Sequence, residues 1–446
     1  MQKKRFTIDG DFKKFIRYSL PSTIGMLISG IYTLVDGLFV GWGVGPDGLA
    51  AINVAFPFYC IYLGLGEMLG NGCAITIAYC RGRNKKLTGG LFFGNMLFML
   101  LPLGILLAVL APIAAVQVKY MGADPEINAM AYGYALIISC FAIFQIATSS
   151  LLAVMRHDRK PVVAMAMMLS GLLANIVLDY YFVLVLHWGV NGSAYATILS
   201  QVLTCLLGAV YLKFGRLNFT WRRRFLRPYG DIVGQIFTIG LPSMGLQLMG
   251  GLLILLHNIQ AQRYGGLNAV AAYAIISYIT SPVLLLADGI SLGIQPPVSY
   301  YHGRGEFIRK RRFLFYGTWA ILGLTFLAGV IAISADKILP LIFNATGGVA
   351  KLTTTGLLLS ALSFPALGVF QLLVAYYQAE GRSWVSALLI YSDCLVALPL
   401  VLFTMPLFLG LNGVWAALAV SKLIMMCVAL YFRKALPSPE IAVETT

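Results

Sequence analysis

Leu20-Pro21-Ser22 recurs as Leu241-Pro242-Ser243, Ala50-Ala51 as Ala271-Ala272, and Gly82-Arg83 as Gly303-Arg304, all at one shift of 221 residues. Toward the far end of each half, Asn191-Gly192 matches Asn412-Gly413 and Ser200 matches Ser421 at the same shift. The middle needs about two residues of slippage, with Phe141 against Phe364. Self-similarity at a fixed period marks a duplicated structural unit, so the chain reads as two copies of one ancestral half.

Composition says what each half is made of. Of 446 residues, 59% are hydrophobic and only 11% charged, against roughly 25% charged in an ordinary soluble domain. A mean hydropathy of +0.83 agrees. These values exclude a secreted disulfide scaffold, a disordered protein and a free cytosolic enzyme, and they indicate an integral membrane protein. The seven cysteines, Cys60, Cys73, Cys80, Cys140, Cys205, Cys394 and Cys427, form no CxxC pair and read as packing residues.

A membrane-crossing helix needs about 20 mostly apolar residues. Twelve such windows occur, near 15–41, 50–79, 90–117, 127–154, 162–187, 190–213, 233–257, 269–300, 313–335, 354–378, 384–408 and 411–432. The predicted fold class is an all-α membrane protein of 12 transmembrane helices in two six-helix lobes. Six is even, so both copies face the same way and their pseudo-two-fold axis is expected along the membrane normal. The predicted division is an N-terminal lobe over 1–213, a basic linker over 214–232 and a C-terminal lobe over 233–446.

The net charge of +15 is read from where the charges fall rather than as a nucleic-acid signal. Lys3, Lys4, Arg5, Lys13, Lys14 and Arg17 precede or open the first span, and the loops after spans 2, 4, 6 and 8 are basic, including Trp221-Arg222-Arg223-Arg224. The opposite loops hold Lys119, Arg263, Lys337 and Lys351. This asymmetry predicts a multi-pass cell-membrane protein with both termini and the basic loops in the cytoplasm. The basic start lacks a small-residue cleavage site and is expected to be a cytoplasmic arm.

A carboxylate in hydrocarbon costs roughly 3 kcal/mol on the insertion scale, so intramembrane acids tend to face a cavity or a partner. Asp36, Glu67, Asp179, Asp288 and Asp393 fall inside predicted spans, as do His257 and Lys422. Glu67 and Asp288 are repeat mates, which leaves structural pairing and function both open. Lys422 reads as a partner for Asp393 or another buried acid. His257 reads as a helix-end histidine or a proton-sensitive cavity residue.

Asp36 differs from these, because its mate is His257. Tyr32 and Asp36 are four residues apart and share one helix face, as do Asn175 and Asp179. At the 221 shift, the mates of Tyr32, Asn175, Asp179 and Thr197 are Leu253, Val396, Leu400 and Leu418. A polar cluster kept in only one copy is not needed to build the repeat.

Leu20-Pro21, Tyr32-Thr33-Leu34-Val35-Asp36 to Gly41, Asn175-Ile176-Val177-Leu178-Asp179, Gly189-Val190-Asn191-Gly192 with Ala194 to Thr197, and Gln378-Ala379-Glu380-Gly381 together resemble the multidrug and toxic compound extrusion (MATE) family. The resemblance runs from about residue 12 to 432. It implies a cation-responsive site at Tyr32, Asp36, Asn175, Asp179 and Thr197. Other branches carry acids on spans 7 and 10, where this chain has His257 and, around Gln371, no acid.

Two carboxylates in a low-dielectric lobe disfavour double ionisation and titrate as a unit. Either a proton or a sodium ion relieves their repulsion, with Asp36, Asn175, Asp179 and Thr197 as the Na⁺ donor set. The predicted function is secondary active efflux of amphipathic, cationic organic compounds in exchange for H⁺ or Na⁺, by a monomer that needs no cofactor and binds no nucleic acid. The nearest alternative is a lipid-linked oligosaccharide flippase, whose pyrophosphate cargo calls for several cavity bases. An intramembrane hydrolase is disfavoured, because no HExxH, GxSxG or P-loop pattern is present.

Overall fold

The computed structural model describes residues 10–117, 124–334 and 347–435. Lys3, Lys4, Arg5, Lys119 and Lys337 lie outside the described residues. Among the described residues no strand occurs, and helices make up nearly all of the structure. In chain order the helices are α1 Gly10–Gly43, α2 Pro46–Gly82, α3 Lys86–Gln117, α4 Pro125–Cys140, α5 Ala142–His157, α6 Pro161–Asp179, α7 Gly189–Phe214, α8 Gly230–Gly303, α9 Phe307–Ser334, α10 Gly347–Ala361, α11 Phe364–Ala379, α12 Ser383–Ser392, α13 Leu398–Leu409 and α14 Leu411–Ala435.

Nine of these stretches are long and apolar enough to cross a membrane, and two bent pairs raise the number to eleven. The twelfth comes from α8, a run of 74 residues broken at Gly266 (φ 63°, ψ −160°). A side chain at that positive φ would be strained, so glycine sets the division between the spans expected at 233–257 and 269–300. The exposed surface of α3 explains why such helices need lipid. Leu101, Ile105, Val109 and Ile113, four residues apart, are all more than half exposed. An apolar stripe turned outward at helical spacing is stable only against hydrocarbon.

Two windows expected to be single helices are broken. The span near 127–154 is α4 plus α5, bent by 55° at Phe141, and the span near 354–378 is α10 plus α11, bent by 45°. The second bend has a local cause, since Pro365 sits in the first turn of α11, where its missing N–H costs no hydrogen bond. No proline marks the first. Two helices also loosen into π turns, at Tyr180–Val185 directly after Asp179 and at Asp393–Ala397.

The described chain forms two compact units. One gathers residues up to Met26, Ala78–Asn84 and the chain from His257 onward; the other gathers Leu27–Ile77 and Lys85–Leu256. Close backbone approach builds each. In the first, a Cβ on Gly289 would lie 2.3 Å from Thr23 Cα and one on Gly293 would lie 2.5 Å from Ser19 Cα. In the second, Gly66 and Gly70 meet α5 in the same way, with Ser149 Cβ at 2.8 Å and Ser150 Cα at 2.7 Å. Both GxxxG pairs therefore serve helix packing.

The basic linker is a docked strap within the second unit. The Asn218 backbone N–H donates to both carboxylate oxygens of Asp158, at 3.1 and 3.2 Å, and its side-chain amide donates to the Asp158 carbonyl at 2.8 Å. Thr220 N–H reaches Lys86 O at 3.1 Å, Tyr229 N–H reaches Asn95 Oδ1 at 2.9 Å, and Phe219 and Phe225 are buried. These anchors leave Arg222, Arg223, Arg224 and Arg227 exposed.

Candidate functional site

The second unit holds a cavity lined by Tyr32, Thr33, Asp36, Ile52, Phe56, Tyr59, Tyr134 and Thr197. Four helices supply this lining. On α1, the four-residue spacing turns Tyr32 and Asp36 the same way. From α2 come Ile52, Phe56 and Tyr59, from α4 Tyr134, and from α7 Thr197.

Asp36 is the acid of the lining, and α7 grips it. Ser193 Oγ donates to Asp36 Oδ1 at 2.8 Å. One turn and two turns farther along α7, Thr197 lines the cavity and Ser200 Oγ stands 2.9 Å from the Tyr32 hydroxyl. Ser200 Oγ in turn donates to Thr197 O at 2.7 Å, which leaves Tyr32 to donate to Ser200. Behind this layer, α6 contributes Asn175 and Asp179, both with no exposed surface.

Asp179 has Asp36 and Asn175 as its polar neighbours. Neither of its oxygens accepts a well-formed hydrogen bond from the protein, and the Asn175 amide is equally unsatisfied. Two carboxylates side by side have no donor between them when both are ionised; a shared proton supplies one, and a small cation would take the same oxygens as ligands. The five residues singled out from the sequence are thus brought together in one unit, three lining the cavity and two directly behind it.

The other five polar residues take separate partners. Glu67 accepts from Asn71 Nδ2 at 2.8 Å and lies 3.8 Å from Arg156, while Asn71 also reaches Ser243 Oγ at 3.1 Å. Asp288 accepts from Gln371 Nε2 at 2.6 Å. His257 is buried in an aromatic column, stacked on Tyr273 at 5.3 Å, which stacks on Trp415 at 6.1 Å. Asp393 and Lys422 form an ion pair, with Ser421 Oγ donating to Asp393 at 3.1 Å.

Ser193, Tyr59 and Tyr134 were not singled out from the sequence. The asymmetry between the copies is a weak signal for them, because their mates at the 221 shift are Val414, Thr280 and Thr355, two of them polar. Among the described residues, no group of three or more His, Cys, Asp or Glu side chains converges as metal ligands. The donor set at Asp36 is oxygen-rich with two acids, which suits a proton or a hard monovalent cation.

Comparison with known proteins agrees with this architecture. The family model MatE matches residues 21–181 and again 242–403, one match in each repeat. The chain is 24% identical over 425 residues to the multidrug export protein MepA of Staphylococcus saprophyticus, covering 94% of this chain and 92% of that protein. It is 26% identical over 424 residues to MepA of Staphylococcus aureus, covering 92% and 91%. Among solved structures, a MOP superfamily transporter from Pyrococcus furiosus superposes with a TM-score of 0.89 at 25% identity, over 95% of each chain. A multidrug resistance MATE family transporter in an outward-facing conformation gives 0.87 at 25% identity, again over 95% of each. With the model matched in both repeats, around a cavity bordered by a buried acid pair, this chain belongs to the MatE family of membrane transporters and is not an enzyme.

Proposed function

We propose that the protein is a secondary active multidrug efflux antiporter that exports amphipathic, cationic organic compounds in exchange for H⁺ or Na⁺. The observation that carries this reading is the position of Asp36, in the aromatic lining of a cavity and beside the fully buried Asp179. Tyr32, Phe56, Tyr59 and Tyr134 offer aromatic faces to an organic cation, and Asp36 offers a counter-charge. The names of the MepA relatives favour export of drugs as the activity.

The coupling follows from electrostatics. Binding an organic cation favours an ionised Asp36, whereas taking up a proton or Na⁺ neutralises the pair and lets α1 pack closer to α6 and α7. Each ligand thereby prefers a different arrangement of the same helices, and that difference in affinity is the coupling free energy that alternating access requires. The lysine and arginine asymmetry supports cytoplasmic termini, and the protein acts as a monomer with the drug, the ion and the lipid as its only partners. A pyrophosphate-bearing cargo is disfavoured, because the cavity lining contains one acid and no base.

The test is efflux of a fluorescent cationic dye from proteoliposomes under an imposed pH gradient or an imposed Na⁺ gradient. One gradient should drive efflux by the natural protein and fail to drive it in Asp36→Asn. Efflux undiminished in Asp36→Asn and Asp179→Asn, or driven by ATP alone, would overturn the reading.

A further inference from the structure

Lys422 is 6% exposed and Asp393 4% exposed, on stretches that are long and apolar enough to cross a membrane. A lysine so placed needs a partner or a task. Its ammonium pairs with Asp393 Oδ2 and lies 5.1 Å from the centroid of the Phe370 ring. Ser421, its chain neighbour, donates to the other oxygen of Asp393 at 3.1 Å. A carboxylate, a hydroxyl and an aromatic face around one point make up the chemistry that recognises an organic ammonium ion. Here that point is filled by a side chain of the protein itself.

The backbone supports the same assignment. Asp393 opens the π turn Asp393–Ala397, a widened turn of a kind frequent at functional positions. The repeat adds a contrast. The mate of Ser421 is Ser200, which holds Tyr32 beside the first repeat's acid pair, but the mate of Lys422 is Gln201, which is uncharged. One copy surrounds its acids with neutral groups, and the other carries a fixed positive charge.

We propose that Lys422 is a tethered cation occupying an ammonium site made by Asp393, Ser421 and Phe370, so that this site takes up no free ion. The ligand class follows from the atoms. Truncation of Lys422 to alanine removes three carbons and an ammonium nitrogen, and n-propylammonium has the same heavy atoms. The proposal is independent of coupling at Asp36 and Asp179, and its test reads stability and binding rather than transport.

The full chain carrying Lys422→Ala is purified and its thermal unfolding followed with increasing propylammonium chloride, with sodium chloride and 1-propanol at matched concentrations. The proposal expects a saturable rise of several degrees with propylammonium alone. The natural protein and the double variant Lys422→Ala/Asp393→Asn should show no such rise, the first because its site is filled and the second because its carboxylate is gone. If Lys422→Ala does not fold in salt alone, it is expressed and purified with propylammonium present, and recovery of folded protein is the expected result. No recovery, an equal response to sodium, or an equal response in the double variant would each overturn the assignment.

Discussion

Ser193 on α7 donates a 2.8 Å hydrogen bond to Oδ1 of Asp36 on α1, from a position whose repeat mate is Val414. The bond fixes the carboxylate at the cavity wall. Hydrogen bonds to charged groups contribute about 1.5–3 kcal/mol. Ser193→Ala is therefore expected to slow ion-driven dye efflux about tenfold or more, with Ser193→Thr keeping most of the rate. Initial rates from proteoliposomes at matched protein density check this, and equal rates for Ser193→Ala and the natural protein would remove the bond from the mechanism.

Glu67 and Arg156 test the opposite case, an acid whose role is structural. The Arg156 guanidinium is 3.8 Å from Glu67, and both lie in the unit that houses the cavity. Removing one member of a buried pair leaves a charge without compensation and costs about 3 kcal/mol or more. Arg156→Met should lower the unfolding temperature in detergent markedly, and adding Glu67→Gln should recover most of the loss. A double variant no more stable than Arg156→Met would show that the pairing is not what stabilises this region.

Gly289 against Thr23 makes a steric prediction. A Cβ on Gly289 would lie 2.3 Å from the Thr23 backbone, whereas one on Gly250 would meet nothing within 4 Å. Gly289→Ala must push helices apart, at a cost of about 1–3 kcal/mol. Gly250→Ala should be neutral or stabilising by up to about 1 kcal/mol, as alanine favours helix. Thermal unfolding of the two variants side by side decides it, and similar midpoints would contradict the packing.

The Asp158 to Asn218 clasp predicts a protease pattern. With the strap docked, the bonds after Arg222, Arg223 and Arg224 are held in an ordered turn. Asp158→Ala removes both carboxylate acceptors of the Asn218 N–H, so trypsin should cut the linker several-fold faster than in the natural protein. Cleavage at an unchanged rate would show that the clasp does not restrain the strap.

Much of this was legible in the sequence, for identifiable reasons. The repeat at 221 residues and the long apolar windows reveal the helices, because hydrocarbon demands about 20 apolar residues whatever the packing. Tyr32 with Asp36 and Asn175 with Asp179 were legible because the four-residue helical spacing is strict and because the mates of Tyr32, Asn175 and Asp179 are apolar while that of Asp36 is His257. Ser193, Tyr59 and Tyr134 were not, since serine and tyrosine are common in a membrane bundle and only tertiary packing selects the few that meet an acid. The bend at Phe141 and the π turn after Asp179 have no proline to announce them, whereas the π turn at Asp393–Ala397 is followed closely by Pro399.

In the proposed mechanism, ion and organic cation compete through Asp36 and Asp179. The most direct measurement of that competition is the number of protons or sodium ions released when a fluorescent cation binds the purified protein, read at equilibrium in lightly buffered solution. Reciprocal linkage predicts release of about one cation per dye bound by the natural protein, and none by Asp36→Asn or Asp179→Asn. The same release from those two variants as from the natural protein would contradict the account.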